Sequence, residues 1–227
     1  MIISHHFRFI FCGAHRCATT SIHEALSGCN DYEIHTRCEE DKKYFRPGGR
    51  GGLRPLKKHC HFAVARKFVP DFEKYFKFCI VRNPWDLMVS KYFYYRCDRF
   101  RSRNKVYKAA REQPFLEWIR NPEHRMLVPE MGIENFRKFA DVGDVDYTEK
   151  GCRGINHYPF EFLEDCMADV SEKIGVPIKL KRLNTTTHDH YSKYYERDQE
   201  VIEYIGKQFQ TTIWLRNYEF EESSDET

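Results

Sequence analysis

The chain has 227 residues, 41% of them hydrophobic and 15% aromatic, which is enough for one α/β domain with a proper core and excludes a disordered chain. The net charge of +3 is unevenly spread: residues 1–120 hold 24 of the 37 Lys and Arg but 12 of the 34 Asp and Glu, so this part is basic, +12, and the remainder acidic, −9. The basic part reads either as a solvated face or as the site of an anionic ligand, with an anionic acceptor as a further option; no helix-turn-helix, zinc-finger or RNA-binding signature accompanies it, so nucleic acid is not expected as a partner.

Phe7–Cys12 is apolar and aromatic and reads as a buried strand. It runs into Gly13-Ala14-His15-Arg16-Cys17-Ala18-Thr19-Thr20-Ser21 and a helix over Thr19–Ser27, with Ile22, Ala25 and Leu26 on one face and Gly28 at its end. Residues 29–57 form a polar loop around Pro47-Gly48-Gly49-Arg50-Gly51-Gly52. His61–Val69 has helical spacing and stops at Pro70, Phe76–Val81 is a second strand, and Trp85–Tyr95 is a helix with Pro84 suited to its first turn. Residues 96–111 are strongly basic, Phe115–Ile119 is a short helix, and 121–154 show no clear pattern. Gly154–Phe160 reads as a strand and Glu161–Ile174 as an amphipathic helix closed by Gly175. A polar loop at Lys179–His190 leads to a last helix, Asp198–Phe209, and Glu221–Thr227 is a frayed acidic tail. Without a repeat or linker, 1–227 reads as a single domain, α/β in class, with a mostly parallel sheet.

Nine cysteines is an odd count with no Cys-x-x-Cys pair, which argues against a disulfide framework and a zinc ribbon and for a reducing compartment. Cys12, Cys79 and Cys166 lie in apolar stretches and read as small core residues. No apolar run spans a membrane and the start lacks a signal-peptide layout, so the expectation is a soluble, cytoplasmic protein.

Both strand-to-helix turns have the makings of phosphate sites. Gly13–Thr20 follows the spacing of the P-loop pattern, but Ala18 stands for its second Gly and Thr19 for its Lys, which speaks against a magnesium-dependent ATPase, GTPase or nucleotide kinase. Arg16 supplies a fixed cation and Thr19, Thr20 and Ser21 supply hydroxyls, a set that needs no metal. An ordinary turn with Thr19 as helix N-cap is the bland alternative. In the second turn, Arg82 ends a strand and Ser90 lies two helical turns on, so both can converge on one phosphate. The bland alternative pairs Arg82 with Asp86 and leaves Ser90 facing the core.

Together these segments resemble the sulfotransferase superfamily that uses 3′-phosphoadenosine 5′-phosphosulfate (PAPS). His15–Ser21 is similar to its 5′-phosphosulfate loop, Pro-[Lys/Arg]-x-Gly-[Ser/Thr]-[Ser/Thr], departing at His15 and Ala18. Val81-Arg82-Asn83-Pro84-Trp85-Asp86 through Ser90 is similar to its 3′-phosphate motif. Tyr75-Phe76-Lys77-Phe78, Phe160–Asp165, Asn184, Tyr194-Tyr195 and Asn217–Phe220 extend the resemblance toward the carbohydrate branch, while 97–150 match poorly. The resemblance implies a P-loop-like three-layer fold with the sheet flanked by helices. It also implies transfer of a sulfuryl group from PAPS to a hydroxyl, with a carbohydrate as the expected acceptor, without a metal. Arg16, Cys17, Ala18, Thr19, Thr20 and Ser21 would hold the 5′ end, with Arg16 stabilising the leaving phosphate, and Arg82 with Ser90 the 3′-phosphate.

The reaction needs a base titrating near neutrality, which favours His. His59-Cys60-His61 lies 21 residues before Arg82, similar to a His-Gly-His in uronic acid 2-O-sulfotransferases, which assigns His61 as base with His59 supporting it. Glu39 or Glu40 is the alternative base, and a His-x-His metal site with His188-Asp189-His190 a further alternative. Arg50, Arg54, Lys57 and Lys58 are candidates to bind a carboxylated or sulfated glycan, and Lys181, Arg182 and 184–187 to close over the nucleotide. Golgi relatives carry a membrane anchor, so the lumen is the alternative location for a trimmed chain. A non-catalytic glycan- or anion-binding protein on a degenerate scaffold is the second functional reading.

Overall fold

The two apolar runs read as strands are neighbours in one sheet. In the computed structural model, the described residues are 1–29, 34–35, 53–54, 62, 65–66, 69–97, 105–121, 154–183 and 185–222. In chain order they form β1 (Ile2–Ser4), β2 (Phe9–Cys12), α1 (Thr19–Ala25), β3 (Ile34–His35), β4 (Leu53–Arg54) and β5 (Phe76–Val81). There follow α2 (Pro84–Arg96), α3 (Lys105–Glu112), α4 (Phe115–Arg120), β6 (Ile155–Pro159), α5 (Leu163–Ile174), α6 (Ser192–Tyr195), α7 (Gln199–Gln208) and α8 (Gln210–Arg216). The chain divides into two compact units, Met1–Val81 with Phe136–Leu183 and Arg82–Asn135 with Asn184–Thr227.

The first unit is mixed α/β. Its sheet has the order β1-β2-β5-β6, with β1 antiparallel to β2 and the other neighbours parallel. Register places Phe9 beside Phe76, Phe11 beside Phe78 and Ile80 beside Tyr158, and cross-strand partners share a face. Phe78 is fully buried and its ring meets those of Phe9, Phe11, Phe76 and Tyr158. Two helices reach this aromatic face. From α1, His23 sets its edge against Phe11, and from α5, the Lys173 ammonium lies over Phe76 and Tyr158. Lys173 also holds Asp169 at 2.6 Å, which lowers the carboxyl's pKa, while burial raises that of the Tyr158 phenol that donates to Asp169. Gly175, at φ 68°, closes α5 as its sequence position predicts. Cys12, Cys79 and Cys166 are buried, as their apolar stretches predict.

The turn from β2 into α1 has an unusual backbone. Arg16 and Ala18 take φ of 60° and 50°, the left-handed region that favours glycine. The N-cap is Ala18, without a side-chain cap, so Thr19 is not the cap. Thr19 lies inside the helix and its hydroxyl donates to the Ala14 carbonyl, tying the loop to the first helical turn. This fold-back also explains Gly13, where a Cβ would lie 2.1 Å from Thr19 Cγ2.

The second unit is helical. Asn83 caps α2, its side-chain oxygen accepting from the Trp85 and Asp86 amides, and Pro84 occupies the first turn. Pro84, Trp85 and Leu87 to Tyr92 are all buried, Ser90 and Lys91 among them, so α2 is enclosed around most of its girth and forms the unit's centre. Trp85 Nε1 donates to the Ile202 carbonyl in α7 at 3.0 Å, and the buried Tyr195 hydroxyl of α6 donates to the Trp85 carbonyl at 3.0 Å. Tyr92 packs on Phe115 and Trp118 of α4, and Phe220 closes on Trp85 and Tyr195.

Two stability outcomes follow from this packing. Phe78→Ala should cost about 3–5 kcal/mol, read as a lower urea midpoint, because the ring fills the centre of the aromatic face. Ala18→Gly should stabilise by about 0.5–1 kcal/mol, relieving a left-handed Ala, whereas Gly13→Ala should destabilise because its methyl meets Thr19; thermal melts of the three proteins check both signs.

Candidate functional site

The start of α2 gathers a polar cluster inside the second unit. Arg82 is 8% exposed, and a guanidinium keeps its charge at any working pH, so it requires partners. Its Nε donates to Asp86 Oδ2 at 2.6 Å, and its Nη1 donates to Ser90 Oγ at 3.1 Å. The spacing explains both contacts, since Asp86 and Ser90 lie one and two turns along the same stripe of helix. Ser90 is fully buried and shares a 3.1 Å hydrogen bond with the Thr186 hydroxyl, which brings the 185–190 loop to α2. The bland alternative is therefore present, with Arg82 paired to Asp86 and Ser90 buried, and Arg82 in addition donates to Ser90.

His188 completes the cluster. Its Nε2 lies 3.6 Å from the other Asp86 oxygen, Oδ1, and the ring is 10% exposed. It stacks on Phe93 at 5.6 Å and meets Tyr194 edge-on at 6.2 Å. Nδ1 lies 2.8 Å from the Asp189 carbonyl; a carbonyl only accepts, so Nδ1 carries a hydrogen. Burial raises the pKa of Tyr191 and raises that of Tyr195 strongly, and the Asp86 charge adds to both, so these phenols stay neutral around the carboxylate. The donors here, a guanidinium and two hydroxyls, match the oxygens of a tetrahedral dianion, and Asp86 is the counter-charge of the guanidinium.

In the first unit, the candidate loop Arg16–Ser21 has much of its chemistry committed to the turn. Thr19 is bonded to Ala14, Ser21 Oγ accepts from the Leu183 amide at 3.2 Å, and the buried Cys17 thiol faces the His15 carbonyl. Arg16 is half-buried at the apex. Lys181 and Arg182 pair with Glu24 and Glu164 on the surface of the same unit.

Arg54 belongs to β4, where its backbone pairs with Ile34. His59, His61, Arg50, Lys57, Lys58, Glu39, Glu40 and Asn184 lie outside the described residues. Phe62 and Ala65, just after His61, are helical and buried, as the spacing predicts. Sequence reasoning paired Asp86 with Arg82 and noted His188 only as an alternative metal ligand; it missed His188 as the partner of the second Asp86 oxygen, because nothing local ties the polar loop to α2. Among the described residues no group of three or more His, Cys, Asp or Glu is placed to hold a metal ion, and no described helix is long and apolar enough to cross a membrane.

No protein-family model matches the chain, and no solved structure matches it. A protein of Archaeoglobus fulgidus, described as an uncharacterized protein, is 30% identical over 132 residues, which is 54% of this chain and 87% of the relative. The chain belongs to the family of that archaeal protein.

Proposed function

We propose that this chain is a PAPS-dependent sulfotransferase acting on a hydroxyl, with a carbohydrate as the favoured acceptor class. The observation that carries the reading is the buried Arg82 bonded to Ser90 and, through Ser90, to Thr186. A buried guanidinium flanked by hydroxyls suits a 3′-phosphate, and the same two residues are those the sequence resemblance assigns to it. The loop Gly13–Ser21 is assigned to the 5′-phosphosulfate by resemblance, with Arg16 as the cation for the leaving phosphate. A P-loop-like three-layer arrangement is the corresponding fold.

In the transfer, the bond from sulfur to the 5′-phosphate oxygen breaks, a bond from sulfur to the acceptor oxygen forms, and the acceptor proton goes to a base, assigned to His61. Arg16 offsets charge on the leaving oxygen and His61 holds the proton. Arg50, Arg54, Lys57 and Lys58 supply positive charge for an anionic acceptor. The committed Thr19 and Ser21 hydroxyls and the left-handed Ala18 favour a second reading, a protein that binds anionic ligands without transferring sulfate.

Free 3′-phosphoadenosine 5′-phosphate should stabilise the chain by about 2.7 kcal/mol at a hundredfold excess over Kd, a rise in Tm of about 5–10 °C. Arg82→Ala should weaken that binding by at least about 100-fold and Ser90→Ala by about tenfold, by calorimetry. Absence of nucleotide binding in the native chain would overturn the proposal. Radiolabelled PAPS offered with a glycan panel separates the two readings: label transfer that His61→Ala abolishes, with nucleotide binding kept, identifies the enzyme, and binding without transfer identifies the second reading.

A further inference from the structure

The Arg82 cluster contains an imidazole, His188, that the proposed chemistry does not use. His188 does not touch Arg82 or Ser90; it faces them through Asp86, whose two oxygens divide between Arg82 Nε at 2.6 Å and His188 Nε2 at 3.6 Å. With Nδ1 already donating to the Asp189 carbonyl, the neutral ring turns a lone pair toward the Asp86 carboxylate, an unfavourable pairing. Protonation at Nε2 converts it to an ion pair. The Phe93 face, stacked at 21°, and the Tyr194 edge wall the ring and leave Asp86 as its charged partner. Among the described residues, the charged and titratable groups around His188 are Asp86 and, behind it, Arg82 on α2, and Tyr194 on α6. Tyr191 and Tyr195 surround the same carboxylate and are neutral.

Count the charge in the two states. With His188 neutral, Arg82 and Asp86 cancel, and an arriving dianion meets no net positive charge. With His188 protonated the trio is net positive, and Asp86 has a second cation to satisfy it when the dianion competes for the guanidinium. We infer that His188 is a positioning residue of the Arg82–Ser90 anion site, and that a dianion binds there together with one proton taken up at His188. The sign follows: affinity is full where His188 is protonated and is lost as pH rises and the ring gives up its proton. This inference rests on reading the Arg82 cluster as an anion site.

Sulfate is the direct probe, because it stays a dianion across the histidine range and any proton taken up comes onto the protein. The His188 ring signal, identified by its loss in His188→Gln, is titrated by NMR in sodium sulfate and in sodium chloride of equal ionic strength. The expected result is a higher titration midpoint in sulfate. In parallel, calorimetry with 3′-phosphoadenosine 5′-phosphate should show binding about tenfold weaker at about pH 8 than at about pH 6, with the pH dependence greatly reduced in both His188→Gln and Asp86→Asn. Near-UV circular dichroism checks that both variants stay folded; the native-chain titration needs His188→Gln only to assign the ring signal, which triple-resonance NMR of the native chain also assigns. Nucleotide binding with an unmoved His188 midpoint overturns the inference and leaves the function standing. An undiminished pH dependence in His188→Gln also overturns it. A sulfate-linked midpoint shift without nucleotide binding supports the inference and overturns the nucleotide reading, and binding of neither anion overturns both.

Discussion

A guanidinium cannot be neutralised by giving up its proton, so a buried arginine dictates the chemistry of its surroundings. Arg82 imposes that condition on the second unit. Its partners sit four and eight residues on, which requires an unbroken helix from the Asn83 cap onward. The helix start is in turn held from outside itself: the Trp85 indole on the Ile202 carbonyl, the Tyr195 hydroxyl on the Trp85 carbonyl, and the Asn83 amide on the Glu219 carbonyl. These three bonds reach segments more than a hundred residues away in sequence. The charge at Arg82 and the packing around Trp85 therefore stabilise one geometry, and a change in either moves the other.

How much of this could be read from the chain depends on whether the signal was local. β5 was legible as an unbroken apolar run, and its observed bounds, Phe76–Val81, are those expected. α2 shows no usable periodicity because it is enclosed on nearly all sides; it was legible through Asn83-Pro84, a capping signal. α5 was legible by its stripe and its Gly175 stop. The failures have the opposite character. β1 is three residues long and exists because Ile2, Ile3 and Ser4 pair with β2, a partner no local pattern announces. α3 lies in a stretch where basic charge masked the helical spacing, and α6 and α8 are short helices, the first with Tyr194 and Tyr195 in aromatic contacts and the second ended by a left-handed residue, Asn217. The site divides likewise: Arg82, Asp86 and Ser90 share one helix and were within reach, whereas His188 joins them only through the path of a loop.

The first turn shows a different relation between sequence and shape. Ala18 stands where the P-loop pattern has Gly, and yet its backbone takes the conformation Gly would take. Fold-level restraint has evidently exceeded the local preference: the Thr19-to-Ala14 bond and the absence of a Cβ at Gly13 hold the loop back on its helix, and Ala18 is carried into the left-handed region at a cost of about 1–2 kcal/mol. Strain of this size persists only where neighbouring contacts outweigh it.

Asp86 decides what the Arg82 cluster can do. A carboxylate on a guanidinium is at once a support and a competitor: it lets the cation stay buried without a ligand, and it repels the anion that would bind there. Removing the competition by removing the carboxylate would leave a buried charge uncompensated, which costs more than the pair is worth. On the inference drawn for His188, a proton there would give Asp86 an alternative partner while the carboxylate stays in place. His188, which only the path of its loop brings to α2, would then let the buried arginine serve both the stability of the second unit and the capture of a dianion.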